Sequence, residues 1–225
     1  MIKIGDIVIN PTKVICLGLN YQDHIDEFKR ETPKEPVLFT KTLNCLITDG
    51  EPIIYPKILY NDRKNNQVDY EVELAFIIKD KCKNVPEKEA YNHILGYSVF
   101  NDVTARKMQR RDVVSQKPWF KSKSFDTFGI IGPRIVPTSD IDDPHDLNLE
   151  LKLNGIVKQS SNTKHLMHKI PFLVEYISNF FTLEPGDIIA TGTPSGVGPV
   201  QPGDIIEATV EKIGTLTNEV VLEED

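Results

Sequence analysis

Cysteine is scarce: Cys16, Cys45 and Cys82 are scattered through 225 residues, and no two form a CxxC pair. An odd, widely spaced set argues against a disulfide framework or a zinc knuckle and fits a reducing cytosol. Long apolar runs are missing as well. No stretch reaches the roughly 18 residues a membrane helix needs, and the opening Met1-Ile2-Lys3-Ile4-Gly5-Asp6 has no apolar signal core. These absences point to the cytoplasm. Basic residues are outnumbered, 26 Lys and Arg against 33 Asp and Glu, for a net charge of −7. Neither nucleic acid nor an anionic membrane is therefore an expected partner. The densest basic run, Lys107-Met108-Gln109-Arg110-Arg111, reads as a solvated helix face. Phosphate-loop signatures are also lacking: no GxGxxG opens a helix, and the glycine-rich Thr191–Gly198 segment does not end in Gly-Lys-[Ser/Thr].

What is present is an ordinary globular composition, 40 % apolar and 26 % charged, in a chain long enough to bury a substantial core. One domain is expected over residues 1–225, with 1–13 as a short N-terminal strand or extension. Most segments between turns read as strands: Val14–Leu17, Val37–Thr40, Tyr70–Ile78, Tyr97–Phe100 and Leu147–Leu153. Asn154-Gly155 between Leu147–Leu153 and Ile156–Gln159 is a two-residue hairpin signal. Pro185-Gly186-Asp187 and Pro202-Gly203-Asp204 each precede an Ile-Ile pair and predict two turn-then-strand units. Helices are fewer. Ile170, Leu173, Val174, Ile177 and Phe181 keep helical spacing, with Pro171 in the first turn. Glu87–Ile94 and Thr104–Val113 are further helix candidates, and Asn20 is a candidate cap for a short helix from Tyr21 to about Phe28. Strands and helices do not alternate, so a β-rich α+β fold is expected rather than a Rossmann fold or an α/β barrel.

Chemistry concentrates in Asp69-Tyr70-Glu71-Val72-Glu73-Leu74-Ala75-Phe76-Ile77-Ile78. In a strand, Asp69, Glu71, Glu73, Ala75 and Ile77 share one face. Carboxylates two residues apart on a strand entering the core repel unless a positive charge lies between them. A divalent cation would supply it, although an isolated acidic pair of this kind is more often a solvent-facing sheet edge. Asp102 follows Gly96–Asn101 and is placed either as a third ligand or as a helix cap. Three carboxylates without His or Cys would make a hard oxygen site, suited to Mg²⁺, Mn²⁺ or Ca²⁺ and not to zinc. His24 and Glu27 have i,i+3 spacing, so they can form either a general-base dyad or a surface pair. Lys123 lies between aromatic residues, and Gln109 sits on the Thr104–Val113 segment; both default to solvent. The Thr191–Gly198 loop can offer backbone N–H groups to an anion.

Taken in order, six segments carry a resemblance: Gly18-Leu19-Asn20-Tyr21-x-x-His24-x-x-Glu27, Pro36-Val37-Leu38-Phe39-x-Lys41, Asp69-Tyr70-Glu71-Val72-Glu73-Leu74-Ala75, Asn101-Asp102-Val103-Thr104-Ala105-Arg106-x-x-Gln109, Lys123-Ser124-Phe125-Asp126 and Thr191-Gly192-Thr193-Pro194-x-Gly196-Val197-Gly198. From about Val14 to the C-terminus the chain resembles the fumarylacetoacetate hydrolase superfamily, in particular its compact acylpyruvase and oxaloacetate decarboxylase type. The resemblance implies a mixed, mostly β, roll-like α+β fold of that family's C-terminal domain type, and a homodimer. It implies Mg²⁺ or Mn²⁺ on Glu71, Glu73 and Asp102, and a water-activating His24–Glu27 dyad on a lid that orders over substrate. Lys123 and Gln109 match residues that contact substrate or a developing oxyanion. Arg106, Gly192 and Thr193 match positions near the substrate oxygens. Leu19 departs from those acylpyruvases that carry Arg there, which puts recognition of a second acidic group in question.

The activity so implied is metal-dependent cleavage of a carbon–carbon bond in a small 2-oxo acid of acylpyruvate type. The runner-up is oxaloacetate decarboxylation or tautomerisation, or isomerisation and decarboxylation of 2-hydroxyhepta-2,4-diene-1,7-dioate, on the same residues. A non-catalytic binding protein on this fold would be expected to have lost an acid ligand or Lys123, and this chain keeps them all.

Overall fold

The computed structural model of the protein describes residues 1–27 and 31–224. Its centre is a seven-stranded mixed sheet, in spatial order Val37–Lys41, Val14–Gly18, Ile188–Ala190, Val72–Ile78, Ile94–Asp102, Gly129–Pro137 and Leu46–Ile47. A second sheet orders Ile156–Asn162, Asn148–Leu153, Ile205–Val210, Gly214–Leu222 and Ile53–Tyr55, and its middle strands pack on Val72–Ile78 and Ile94–Asp102. A three-stranded sheet of Thr104–Ala105, Val68–Tyr70 and Gly198–Pro199 closes one end. The result is the expected mostly β, mixed-sheet α+β fold. No helix among the described residues is long and apolar enough to cross a membrane, and all three cysteines are free and buried.

The central strand explains why the sheet has two cores. Every residue of Val72–Ile78 is buried. Val72, Leu74, Phe76 and Ile78 face the larger apolar cluster. Ala75 and Ile77 face a smaller one, which the N-terminal hairpin Ile2–Ile4 and Ile7–Ile9 closes with Ile4 and Ile9. A strand covered on both sides carries a continuous apolar run instead of alternation, and here the run gives way to acid only at its beginning.

Most expected elements form. Asn154 and Gly155 turn the Asn148–Leu153 and Ile156–Asn162 hairpin with φ of 53° and 76°, the double positive φ that selects Asn-Gly. The Ile170–Phe180 helix buries Ile170, Leu173, Val174 and Ile177 and keeps Pro171 in its first turn. Other expectations need correction. Glu87–His93 is a 3₁₀ helix. Thr104 and Ala105 are strand, paired with Asp69 and Val68, and the α-helix begins only at Arg106 and runs to Val114. The short helix is Gln22–Glu27, and its expected end at Phe28 lies outside the described residues. Asn20 is not its cap: its Nδ2 donates to Thr191 O at 2.8 Å and its Oδ1 accepts from His168 N at 2.8 Å, tying two loops together.

Candidate active site

The acids meet because neighbouring strands end together. Val72 pairs with Asn101 and Glu73 with Phe100, so Asp102 emerges beside Glu71. Glu71 sits at a break between Val68–Tyr70 and Val72–Ile78. Its N–H donates to Asn101 Oδ1 at 2.9 Å, and its carbonyl accepts from Asp102 N at 2.9 Å. Carboxylate oxygens of Glu71, Glu73 and Asp102 lie within 4.8 Å of one another. Their exposures are 4 %, 1 % and 0 %, so the solvent-facing alternative for the acidic strand is wrong. Asp102 caps no helix: its two oxygens accept from Lys41 and Lys123, each at 2.5 Å.

Three buried cations surround the acids. Arg106 donates from Nε to Asp69 at 2.7 Å, from Nη2 to Glu71 and from Nη1 to Gln109 Oε1 at 2.8 Å. Lys123 bridges Glu71 at 2.7 Å and Asp102. Lys41 holds Asp102 and donates to Val103 O at 3.1 Å. Neither Lys123 nor Gln109 is a solvated surface group; both are buried. Because Arg106 occupies the Gln109 carbonyl, the Gln109 NH₂ remains as a donor toward the cleft that both residues line. An ammonium has three N–H bonds, and Lys123 commits two of them to the acids.

Among the buried groups of the described residues, charge does not balance. Asp69, Glu71, Glu73 and Asp102 carry four negative charges when ionised, against three positive charges on Lys41, Arg106 and Lys123. Glu73 is the acid left over. Among the described residues it has no ion pair, and its Oε2 accepts only the Gly192 N–H, at 2.8 Å. Burial, then the Asp102 and Glu71 charges, push its carboxyl well above the ordinary range. Burial also works against Glu71, but Lys123 and Arg106 outweigh it and hold Glu71 below that range. A divalent cation between these oxygens would relieve Glu73, and an all-oxygen donor set suits Mg²⁺ or Mn²⁺. The residues present thus fit such an ion.

The Thr191–Gly198 loop holds the acids from behind. Thr191 and Thr193 donate to Leu74 O and Val72 O at 2.8 and 2.9 Å. Gly192 has φ +97°, and a Cβ there would lie 3.0 Å from Asn20 Cβ, so glycine is required for its N–H to reach Glu73. Gly196 N donates to Glu27 at 3.3 Å, and Ser195 Oγ to Asp23 at 2.9 Å. The loop's amides therefore bind anions, but the anions described are the protein's own carboxylates. They also dock the Gln22–Glu27 helix over the cleft. In it His24 Nδ1 lies 3.1 Å from Glu27 Oε2, His24 is buried, and its ring lines the same cleft as Glu71, Glu73, Lys123 and Thr193. The apolar part of the lining is made by Leu17, Leu19, Phe39 and Trp119. Phe39 and Trp119 meet edge to face at 5.3 Å, and Lys123 Nζ stands 4.9 Å from the Phe39 ring centre.

Every residue singled out from the sequence, His24, Glu27, Glu71, Glu73, Asp102, Arg106, Gln109, Lys123, Gly192 and Thr193, falls in this one neighbourhood. Sequence reasoning gave no role to Lys41, although it stands in a quoted segment, nor to Gln159. Gln159 accepts from Val72 N at 3.0 Å and donates to Thr193 Oγ1 at 2.8 Å, bracing strand against loop. Lys41 had a signal in a charge closing a mostly apolar strand; Gln159, in a polar hairpin strand, had none.

A family model described as fumarylacetoacetate (FAA) hydrolase C-terminal matches residues 13–221. The chain belongs to this family. Its members differ in reaction. The mitochondrial oxaloacetate tautomerase fahd2 of Xenopus laevis is 39 % identical over 221 residues, 95 % of this chain and 67 % of that protein. The 2-hydroxyhepta-2,4-diene-1,7-dioate isomerase from Mycobacterium marinum superposes with a TM-score of 0.83 at 41 % identity, covering 96 % of this chain and 77 % of that one. The fumarylpyruvate hydrolase from Pseudomonas aeruginosa, solved with Mn²⁺ and pyruvate, superposes with a TM-score of 0.88 at 30 % identity, covering 97 % and 93 %. Catalysis is common to these three relatives, and the Pseudomonas hydrolase holds Mn²⁺.

Proposed function

We propose that the protein is a Mg²⁺- or Mn²⁺-dependent hydrolase that cleaves a carbon–carbon bond in a small 2-oxo acid of acylpyruvate type. One observation carries the reading: Glu71 and Glu73 of the buried Glu71–Glu73–Asp102 cluster line the same cleft as His24, whose ring nitrogen lies against Glu27. When bound, the divalent ion supplies Lewis-acid stabilisation of negative charge on the 2-oxo acid's oxygens. Glu71, Glu73 and Asp102 would hold it. His24 Nδ1 lies 3.1 Å from Glu27 Oε2, and an ionised Glu27 accepting from Nδ1–H would make Nε2 the basic nitrogen. His24 then takes a proton from water as that water attacks the distal carbonyl; collapse of the tetrahedral oxyanion breaks the carbon–carbon bond, and the proton held by His24 passes to the carbon of the departing enolate. The Lys123 ammonium and the Gln109 NH₂ donate to the oxyanion that develops there, with Arg106 setting the Gln109 amide, Thr193 lining the cleft and Gly192 holding Glu73. The apolar wall of Leu19, Phe39 and Trp119 receives the acyl substituent.

A second reading has support of its own. The Xenopus oxaloacetate tautomerase is more similar to this chain than the Pseudomonas hydrolase is, and a His–Glu pair can return a proton to carbon as readily as take one from water. Turnover of acetylpyruvate, fumarylpyruvate, oxaloacetate and a hydroxyhepta-diene-dioate, each with Mg²⁺, Mn²⁺ and EDTA, separates the two. Metal-dependent release of pyruvate and a carboxylic acid supports the hydrolase. Metal-dependent keto–enol exchange of oxaloacetate without cleavage of any acylpyruvate would replace it with the tautomerase.

A further inference from the structure

A second cluster of ligand-type side chains lies outside the cleft, at the far end of the central strand. Ile78 pairs with Ile94, and Lys79 N donates to His93 O at 2.8 Å, so the chain leaving Val72–Ile78 runs beside the chain entering Ile94–Asp102. Three residues on, Cys82 exchanges backbone hydrogen bonds with Leu183 at 3.0 and 2.9 Å, which fixes its place against a third segment. Asp80, Cys82 and His93 are thereby held together: a carboxylate oxygen, the thiol sulfur and a ring nitrogen lie within 4.8 Å of one another. His93 Nδ1 is already 2.6 Å from Asp80 Oδ1. Cys82 is buried beneath them, while Asp80 and His93 are partly exposed, which leaves a route from solvent.

We infer that Asp80, Cys82 and His93 form a second metal site, of zinc class, independent of the acidic cluster in the cleft. The donors decide the ion. A thiolate, an imidazole and a carboxylate are a mixed soft and borderline set that takes Zn²⁺ or Co²⁺ in tetrahedral geometry and does not favour Mg²⁺. Tetrahedral ligands at zinc bond lengths stand about 3.3–3.8 Å apart, so small side-chain rotations on a fixed backbone close the set. Glu184 and Asp187 also lie near the Cys82 thiol, but each is already paired with a lysine, Lys81 and Lys13, so the three ligands themselves carry the site. On binding, the sulfur–hydrogen bond is replaced by a sulfur–metal bond, the proton passes to solvent, and water completes the fourth position. The ion would clamp the Asp80–Cys82 turn to the end of the Glu87–His93 helix, a structural role remote from the chemistry of the cleft. The competing account is a plain His93–Asp80 ion pair above an inert thiol.

Titration of the whole protein with Co²⁺, read by absorption, separates them. A thiolate on Co²⁺ gives a near-ultraviolet sulfur-to-metal charge-transfer band, which the all-oxygen donors of the cleft cannot give. The expected result is such a band saturating at one equivalent, with tetrahedral d–d bands in the visible, displaced by Zn²⁺ and abolished in both Cys82→Ser and His93→Gln. His93 is partly exposed, so His93→Gln keeps the test decisive should Cys82→Ser fold poorly. Absence of the band in the wild type, or its persistence at full intensity in His93→Gln, overturns the inference.

Discussion

Lys41→Met tests the charge balance of the cleft most directly. Lys41 is 1 % exposed, and its ammonium meets the fully buried Asp102 at 2.5 Å. Methionine keeps most of the stem's volume and removes the charge. Breaking a buried pair from one side costs about 3–5 kcal/mol, because the remaining charge is left uncompensated. Asp102 here keeps Lys123 on its other oxygen, so the low end, about 3 kcal/mol, is the expectation. With a urea slope of about 3 kcal/mol per M for a chain of this size, the unfolding midpoint in EDTA falls by about 1 M. The substitution also changes the balance from four carboxylates against three cations to four against two. Saturating Mg²⁺ or Mn²⁺ should then stabilise the variant more than the wild type. Urea melts followed by circular dichroism, with EDTA and with metal, measure both effects. A variant within about 0.5 kcal/mol of wild type in EDTA, or equal stabilisation of the two proteins by metal, refutes the reasoning.

Glu73 sets the pH dependence. Its pKa in the folded, metal-free protein is raised above that in the unfolded chain, so the stability it contributes is present at low pH and lost as pH rises through the raised value. A divalent ion opposes that loss. The gain in melting temperature on adding Mg²⁺ should therefore grow as pH rises above the ordinary carboxylate range, and a gain independent of pH would count against Glu73 as a ligand. His24→Ala should lower acylpyruvate hydrolysis by about 10²–10⁴-fold while leaving metal affinity intact; steady-state rates and a metal titration check both, and unchanged hydrolysis removes the proposed base. Gly18→Ala would place a Cβ 2.7 Å from Trp119 Cζ3. The indole must shift, at a cost of about 1–3 kcal/mol, and KM should rise more than kcat falls. A thermal melt and a kinetic comparison suffice, and unaltered kinetics would mean that Trp119 does not shape the substrate end.

Much of this was readable along the chain, because local patterns carried it. The Asn154-Gly155 turn, the Ile170–Phe180 helix and the apolar run after Glu73 each depend on residues a few positions apart. The ordered segments sufficed for the family. Where reading failed, a distant partner had overruled a local preference. Thr104 and Ala105 read as the first turn of a helix, yet they pair with Asp69 and Val68 as strand. Asn20 reads as a cap, yet its amide bridges His168 and Thr191. Lys123 and Gln109 default to solvent by type, but each gains a buried partner from another part of the chain.

The sequence by itself determined the residue types on offer and, through their order, the family. Three carboxylates can hold a hard cation and an i,i+3 His–Glu pair can transfer a proton, but along the chain each could equally be a solvent-facing acid, a helix cap or a surface pair. Only the tertiary structure decided that these groups share one cleft. It also decided that Glu71 is neutralised by Lys123 and Arg106 while Glu73, one strand step away, is not. Burial and the distances between charges set an acid's ionisation, and both arise from contacts between segments that lie far apart in the chain.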